Sequence, residues 1–209
     1  MSDTSPAKRS RRKEARPGEI IAAGIKEFSA HGFERARLDR IATAAGVAKG
    51  TIYLYFENKE ALFEAAVEEY VVSMMAATEQ DFSVSPEAST VEMIKMLMAR
   101  AYGHFASDGP LAIMRILIAE GQRFPHLTET YHRIAISRGV KILQGLLDRG
   151  IARGEIRESA MTQTPEIIIA PCMFYAINKM AFDGFLDIDQ DAFMAAHQQM
   201  VLAGLGLEG

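Results

Sequence analysis

Between residues 41 and 52 the chain reads Ile41-Ala42-Thr43-Ala44-Ala45-Gly46-Val47-Ala48-Lys49-Gly50-Thr51-Ile52. This stretch constrains the fold more than any other. It predicts two short helices, over 38–45 and 49–55, with Gly46-Val47 at the turn between them. Helices that close in sequence pack at a steep angle, and three demands follow. The first helix needs a small residue where the second crosses it, and Ala42 supplies it. The turn needs a residue that tolerates positive φ, and Gly46 supplies it. Apolar side chains are needed just after the turn and inside the second helix, and Val47 and Ile52 supply them. The pattern is that of a helix-turn-helix.

The flanks agree. From Pro17, the residues Ile20, Ile21, Gly24, Ile25 and Phe28 recur at spacings of three and four and make one apolar helix face, which Gly32 should end. Asn58 is placed to N-cap a further helix carrying Leu62, Phe63, Ala66, Val67 and Tyr70 on one side. A Ser- and Pro-rich break at 83–89 opens a second region, with helices expected over 86–107, 110–122, 126–153, 165–183 and 189–205. No alternating run is long enough for a sheet. The expected class is all-α with about nine helices: an N-terminal three-helix unit built on the helix-turn-helix (17–63) and a C-terminal helical region (64–209). Residues 1–16 read as a disordered basic arm.

Charge is divided unevenly. The net charge of −4 argues by itself against a polyanionic partner, yet residues 1–60 hold twelve Lys/Arg against eight Asp/Glu. The first sixteen include Lys8, Arg9, Arg11, Arg12, Lys13 and Arg16. A basic head on an acidic body suggests that one end meets phosphates.

One cysteine, Cys172, allows no intrachain disulfide, and burial as a small apolar residue is its plain reading. The N-terminus lacks the apolar core of a signal peptide, and the longest apolar run, 167–177, is too short for a bilayer span of roughly 20 residues. A cytoplasmic location is expected. The sequence offers no phosphate-cradling glycine loop, no nucleophilic triad spacing, no paired acids in a plausible cleft and no Cys/His cluster. No catalytic residue, cofactor or metal is therefore expected.

Around the motif the chain resembles the tetracycline-repressor (TetR) family. The resemblance is carried by Phe28, Gly32-Phe33-Glu34, Ile41-Ala42, Ala45-Gly46-Val47, Lys49-Gly50-Thr51-Ile52-Tyr53, Tyr55-Phe56 and Asn58-Lys59-Glu60-Ala61-Leu62-Phe63. It implies a DNA-binding regulator, most often a repressor, released from a palindromic operator by a small-molecule ligand. It further implies that Thr51 meets base edges or a phosphate, that Gly50 lets the backbone approach DNA, and that Lys49 contacts a phosphate or base. Tyr53 and Tyr55 would use hydroxyls on phosphates or rings on thymine methyls, and Lys59 would pin a phosphate. Ile52 and Phe56 belong to the core, while Leu54 reads equally as core or surface contact. Arg37 and Arg40 depart from the family pattern, which places a hydroxyl residue and an acid there as a capping box. Loss of such a cap costs about 1 kcal/mol, so Arg37, and with it Arg40, is expected to gain a phosphate contact instead. Ala48 likewise replaces a frequent Ser cap.

For the second region the resemblance implies ligand binding and dimerisation. The segment 113–125 resembles one sub-branch of these regulators. Residues 167–177 contain no charge, and a helix apolar all round must be covered all round. A partner subunit is the simplest cover, giving a homodimer through the last two long helices, with Pro171 kinking the first. Two heads on a twofold axis would read double-stranded DNA in successive major grooves about 34–36 Å apart. Eleven of twelve methionines lie beyond residue 73. They fit either a pliable pocket or ordinary core. If a pocket, Met96, Arg100, His104, Met114, Met173 and Asn178 are candidates to line it for a small-molecule effector. If solid core, the protein would bind DNA without an effector.

Overall fold

The computed structural model describes residues 6–84 and 87–207, with side chains left aside at 6–16, 73 and 81–84. Every regular element in the described residues is helical: α1 (Pro6–Arg35), α2 (Leu38–Ala44), α3 (Lys49–Tyr53), α4 (Lys59–Val67), α5 (Ser73–Val84), α6 (Thr90–Phe105), α7 (Asp108–Glu120), α8 (Pro125–Tyr131), α9 (Ser137–Ala152), α10 (Ala160–Gln163), α11 (Glu166–Ala181) and α12 (Gln190–Gly204). π-helical turns at Glu68–Val72 and His132–Ile136 carry α4 into α5 and α8 into α9, so these segments form ten rods where about nine were expected.

The chain divides into two compact units, Met1–Tyr70 with Ala112–Tyr131, and Val71–Leu111 with His132–Gly209. A cut at residue 63 therefore does not follow the contacts, because the segment 112–131 joins the head. Two of the crossings between units, after Tyr70 and after Tyr131, fall at the π-helical turns.

In the first unit α1 begins at Pro6, so the chain from there to Arg16, expected as a disordered arm, is helical, and residues 1–5 lie outside the described residues. Pro17 lies within the helix and not in its first turn. The run of Ala, Lys, Arg and Glu before it favours helix strongly enough to absorb one missing donor. Gly32 breaks the helix as expected, at φ 77 and ψ 159. Only glycine adopts that region readily. Ile20, Ile21, Ile25, Phe28 and Phe33 are buried, as are Leu62, Phe63, Ala66 and Val67 of α4. Gly24 sits where these helices touch: a Cβ there would lie 2.7 Å from Leu62 Cδ2. Phe33 is the hub of an aromatic cluster, with ring centroids 5.2 Å from Phe28, 6.0 Å from Phe63 and 5.5 Å from Phe124.

In the second unit α6 packs on α9, α11 and α12. It starts at Thr90, later than expected, because Ser89 and Glu92 form a capping box. One core cluster joins Met93, Ile94 and Met98 to Leu143, Leu146, Leu147, Ile168 and Val201. A second joins Tyr102 and Phe105 to Cys172, Tyr175 and Ala176. The Tyr102 hydroxyl lies 3.0 Å from His197 Nδ1, so this buried phenol is partnered. The helix α11 runs through Pro171 as a single element.

Candidate nucleic-acid interface

The helix-turn-helix is built as the spacing required. Gly46 has φ 66; its N–H donates to Thr43 O at 3.2 Å, and the Val47 N–H donates to Ala42 O at 3.0 Å. These two bonds close α2 in a Schellman motif, which turns the chain sharply into α3. Ala42 and Ile52 are buried. With Ile52 pinned inward, α3 turns its other faces outward. Lys49 and Gly50 are exposed, Thr51 is partly so, Tyr53 is 51% exposed and Leu54 81%. A Cβ on Gly50 would meet nothing within 4 Å, so no packing demands glycine there. Tyr55 is half-buried with its ring 6.3 Å from Phe56.

The two departures at α2 are compensated inside the protein. Neither Arg37 nor Ala48 makes a side-chain cap. Instead Asp39 accepts from the Arg40 N–H at 3.0 Å and, through both oxygens, from Arg37 at 3.1 and 2.9 Å. The Arg37 hydrogen bond holds the Asp39 carboxyl below its usual range. Glu27 accepts from the Arg37 N–H and from Arg40 Nη1, both at 3.3 Å. A carboxylate near the N-terminus of α2 also suits the helix dipole. The sequence reading missed this because Asp39 sits one residue away from the usual capping position. Arg37 is nonetheless exposed.

Within the protein Lys59 is held by the backbone and by an aromatic ring. Its ammonium donates to Phe33 O and Glu34 O, each at 2.9 Å, and lies 4.7 Å from the centroid of the Phe33 ring. It closes the carbonyls freed by the Gly32 break. The same turn is held from the other side by Glu120, which accepts from the Phe33 N–H at 2.5 Å and the Glu34 N–H at 3.3 Å, while Arg123 pairs with Glu34. Glu120, Arg123 and Phe124 stand in the segment 113–125, whose resemblance to one sub-branch was the only sequence signal for this role.

The six candidate effector residues fall in both units. Met114 is buried in the part of α7 that belongs to the first unit, and the other five lie in the second. Met173 packs on the Tyr102–Cys172 cluster, and Asn178 donates to Leu186 O at 3.0 Å. Burial holds the His104 imidazole down to about 4 and pushes the Cys172 thiol up to about 12, so both stay neutral at physiological pH. Met96 and Arg100 are half-buried. The second unit instead presents a groove of about 580 Å³ between α5, α6 and α9, lined by Glu79, Met93, Arg138, Lys141, Ile142, Gly145, Leu146 and Arg149. Its floor is apolar and its lining carries three cations: Arg138 pairs with Glu79 at 2.7 Å, Arg149 donates to the Ala88 carbonyl at 3.0 Å, and Lys141 is exposed. The available signal was the cationic edge of α9 beside its apolar stripe.

Among the described residues no group of His, Cys, Asp or Glu could hold a metal ion, and no helix is long and apolar enough to cross a membrane.

Comparison with known proteins bears on both units. Residues 20–66 match the family described as "Bacterial regulatory proteins, tetR family", and residues 89–180 match "Tetracyclin repressor-like, C-terminal domain". The fatty acid metabolism regulator protein of Bacillus subtilis is 31% identical over 148 residues, covering 70% of this chain and 74% of its own. The HTH-type transcriptional repressor NicS of Pseudomonas putida is 26% identical, covering 81% and 80%. Among solved structures, the fatty acid degradation regulator FadR from Bacillus halodurans superposes with a TM-score of 0.74 at 23% identity, covering 98% of each chain. FadR from Bacillus subtilis in complex with stearoyl-CoA gives a TM-score of 0.70 at 23% identity, covering 89% of this chain and 97% of that one.

Proposed function

The chain belongs to the tetR family of bacterial regulatory proteins and is a DNA-binding transcription regulator, and from that premise we propose that it is a cytoplasmic, homodimeric repressor released from a palindromic operator by an acyl-CoA. The observation that carries the DNA-binding part is α3: Ile52 is locked in the core while Lys49, Gly50, Thr51 and Tyr53 face solvent. That is the surface a recognition helix needs for the major groove.

Dimerisation through α11 and α12 is supported by an uncovered stripe. On α11, Ile168, Cys172, Tyr175 and Ala176 point into the core, whereas Ile167, Phe174 and Ile177 are 53%, 50% and 40% exposed. With the exposed Ala170 these recur at three and four and form one continuous outer face. Met200 of α12 is 53% exposed. A second copy of the same face is the natural cover for an apolar stripe of this kind.

The effector reading rests on the groove. An apolar floor beneath a cationic rim suits a ligand with an aliphatic chain and an anionic head, and the volume falls in the range of small-molecule sites. Gly145 supports it: glycine inside a helix costs about 1 kcal/mol relative to alanine, and a Cβ there would meet nothing within 4 Å. Its value is the space it leaves open. The relatives named for fatty acid metabolism, one of them holding stearoyl-CoA, give the chemical class.

The test begins with selection of random duplexes by the purified protein at about 150 mM salt, where non-specific phosphate binding is weak. A palindrome is expected, and recovery of no preferred sequence would remove the repressor reading. The selected duplex is then titrated by fluorescence anisotropy. Stearoyl-CoA should release it, unacylated CoA should not, and Gly145→Trp should bind DNA yet resist release. Release of the Gly145→Trp variant at wild-type ligand concentration would place the effector elsewhere.

A further inference from the structure

We propose that Leu54 is a specificity-determining residue: its side chain packs on the C5-methyl group of one thymine in each half-site. The inference rests on the DNA-binding role of α3 and adds a base-level function to a residue that the motif leaves unassigned.

Leu54 is 81% exposed, more than Tyr53 and far more than Ile52, which is fully buried. It holds helical dihedrals at the end of α3, with φ −74 and ψ −21, so its side chain continues the helix surface. On that surface it stands four residues after Gly50 and three after Thr51, which places all three on one face. Gly50 contributes no side chain and its Cβ position is open. The helix backbone can therefore approach DNA closely at Gly50, which brings the isobutyl group of Leu54 against the groove floor. A leucine has no donor or acceptor, so it gains nothing from phosphates or from the polar edges of guanine, adenine or cytosine. In the major groove of unmodified DNA one apolar group is on offer, the thymine methyl. In the free protein the exposed leucine adds nothing to the core, so its contribution is made when it is buried against DNA.

The experiment uses the full chain, wild type and Leu54→Ala, in parallel duplex selections, followed by titration of the wild-type duplex with each thymine replaced in turn by deoxyuridine. Leu54→Ala leaves the backbone bond from the Leu54 N–H to Thr51 O in place and removes only exposed atoms, so both proteins should melt together. The wild type should show one thymine per half-site at which loss of the methyl weakens binding about fourfold, the equivalent of about 0.8 kcal/mol for one buried methyl group. Leu54→Ala should bind thymine and deoxyuridine duplexes equally at that position, and its selected motif should lose the thymine. A wild type indifferent to deoxyuridine at every position would overturn the proposal while leaving the palindrome intact. So would a Leu54→Ala protein that keeps the full penalty. Failure of both proteins to select any sequence would overturn the DNA reading, and this one with it.

Discussion

Lys59 shows how a residue type can be legible while its partner is not. The sequence places a lysine at the start of α4, where a phosphate contact is the family's implied role. The structure directs its ammonium to two backbone carbonyls beneath the Gly32 break and over an aromatic ring. Those carbonyls are freed by a turn 26 residues upstream, and no local pattern reports them. Lys59→Met should therefore lower folding stability by about 1–3 kcal/mol, the scale of hydrogen bonds from a charged donor. It should leave the salt dependence of DNA binding unchanged. A salt slope smaller by about one per subunit, with unchanged stability, would return Lys59 to the phosphates. His104 carries a second residue-level prediction. Burial holds its imidazole at about 4, below the usual 6.5. The unfolded chain takes up a proton as pH falls through 6.5 while the folded protein does not. The stabilisation is present above about pH 6.5 and is lost as pH falls toward 4. Thermal melts of His104→Gln should show a shallower decline over that window than wild type, and equal slopes would contradict the account.

At the level of elements, local pattern served well where packing is local. The α2–α3 turn, the Asn58 cap with its 2.8 Å bond from the Ala61 N–H, and the positions of α11 and α12 were all readable from spacing. Two features were not. The π-helical turns keep the helical hydrophobic period nearly intact, so 126–153 reads as one helix although the structure inserts His132–Ile136. The membership of 112–131 in the head unit depends on Glu120, Arg123 and Phe124 meeting the Gly32–Glu34 turn, a contact separated by nearly ninety residues. That turn is tightly specified. A Cβ on Gly32 would demand a φ near 77 that side chains avoid and would collide with the Glu120 carboxylate. Gly32→Ala should cost at least about 1–3 kcal/mol, read as a lower denaturation midpoint at unchanged slope. A neutral substitution would mean that the turn is held less firmly than its hydrogen bonds indicate.

For the whole molecule, the uneven charge and the long apolar segment in α11 were legible in the sequence beside the helix-turn-helix. The outer stripe of α11, with Ile167, Phe174 and Ile177 exposed, is the face proposed for a second copy. The groove proposed for the effector was the least legible part, because it is assembled from three helices whose lining residues carry no signal one at a time. Phe174→Asp should place a charge in the centre of the proposed dimer face, giving a folded monomer by sedimentation with DNA affinity reduced toward the non-specific level. A dimer that survives would move the interface off α11. Two copies of this head are proposed to read one duplex together. Hydroxyl-radical footprinting of the wild-type protein on its selected duplex tests this most directly. Two protected patches are expected, with centres about 10 base pairs apart on one face of the helix. A single patch, or protection spread evenly along the duplex, would contradict it.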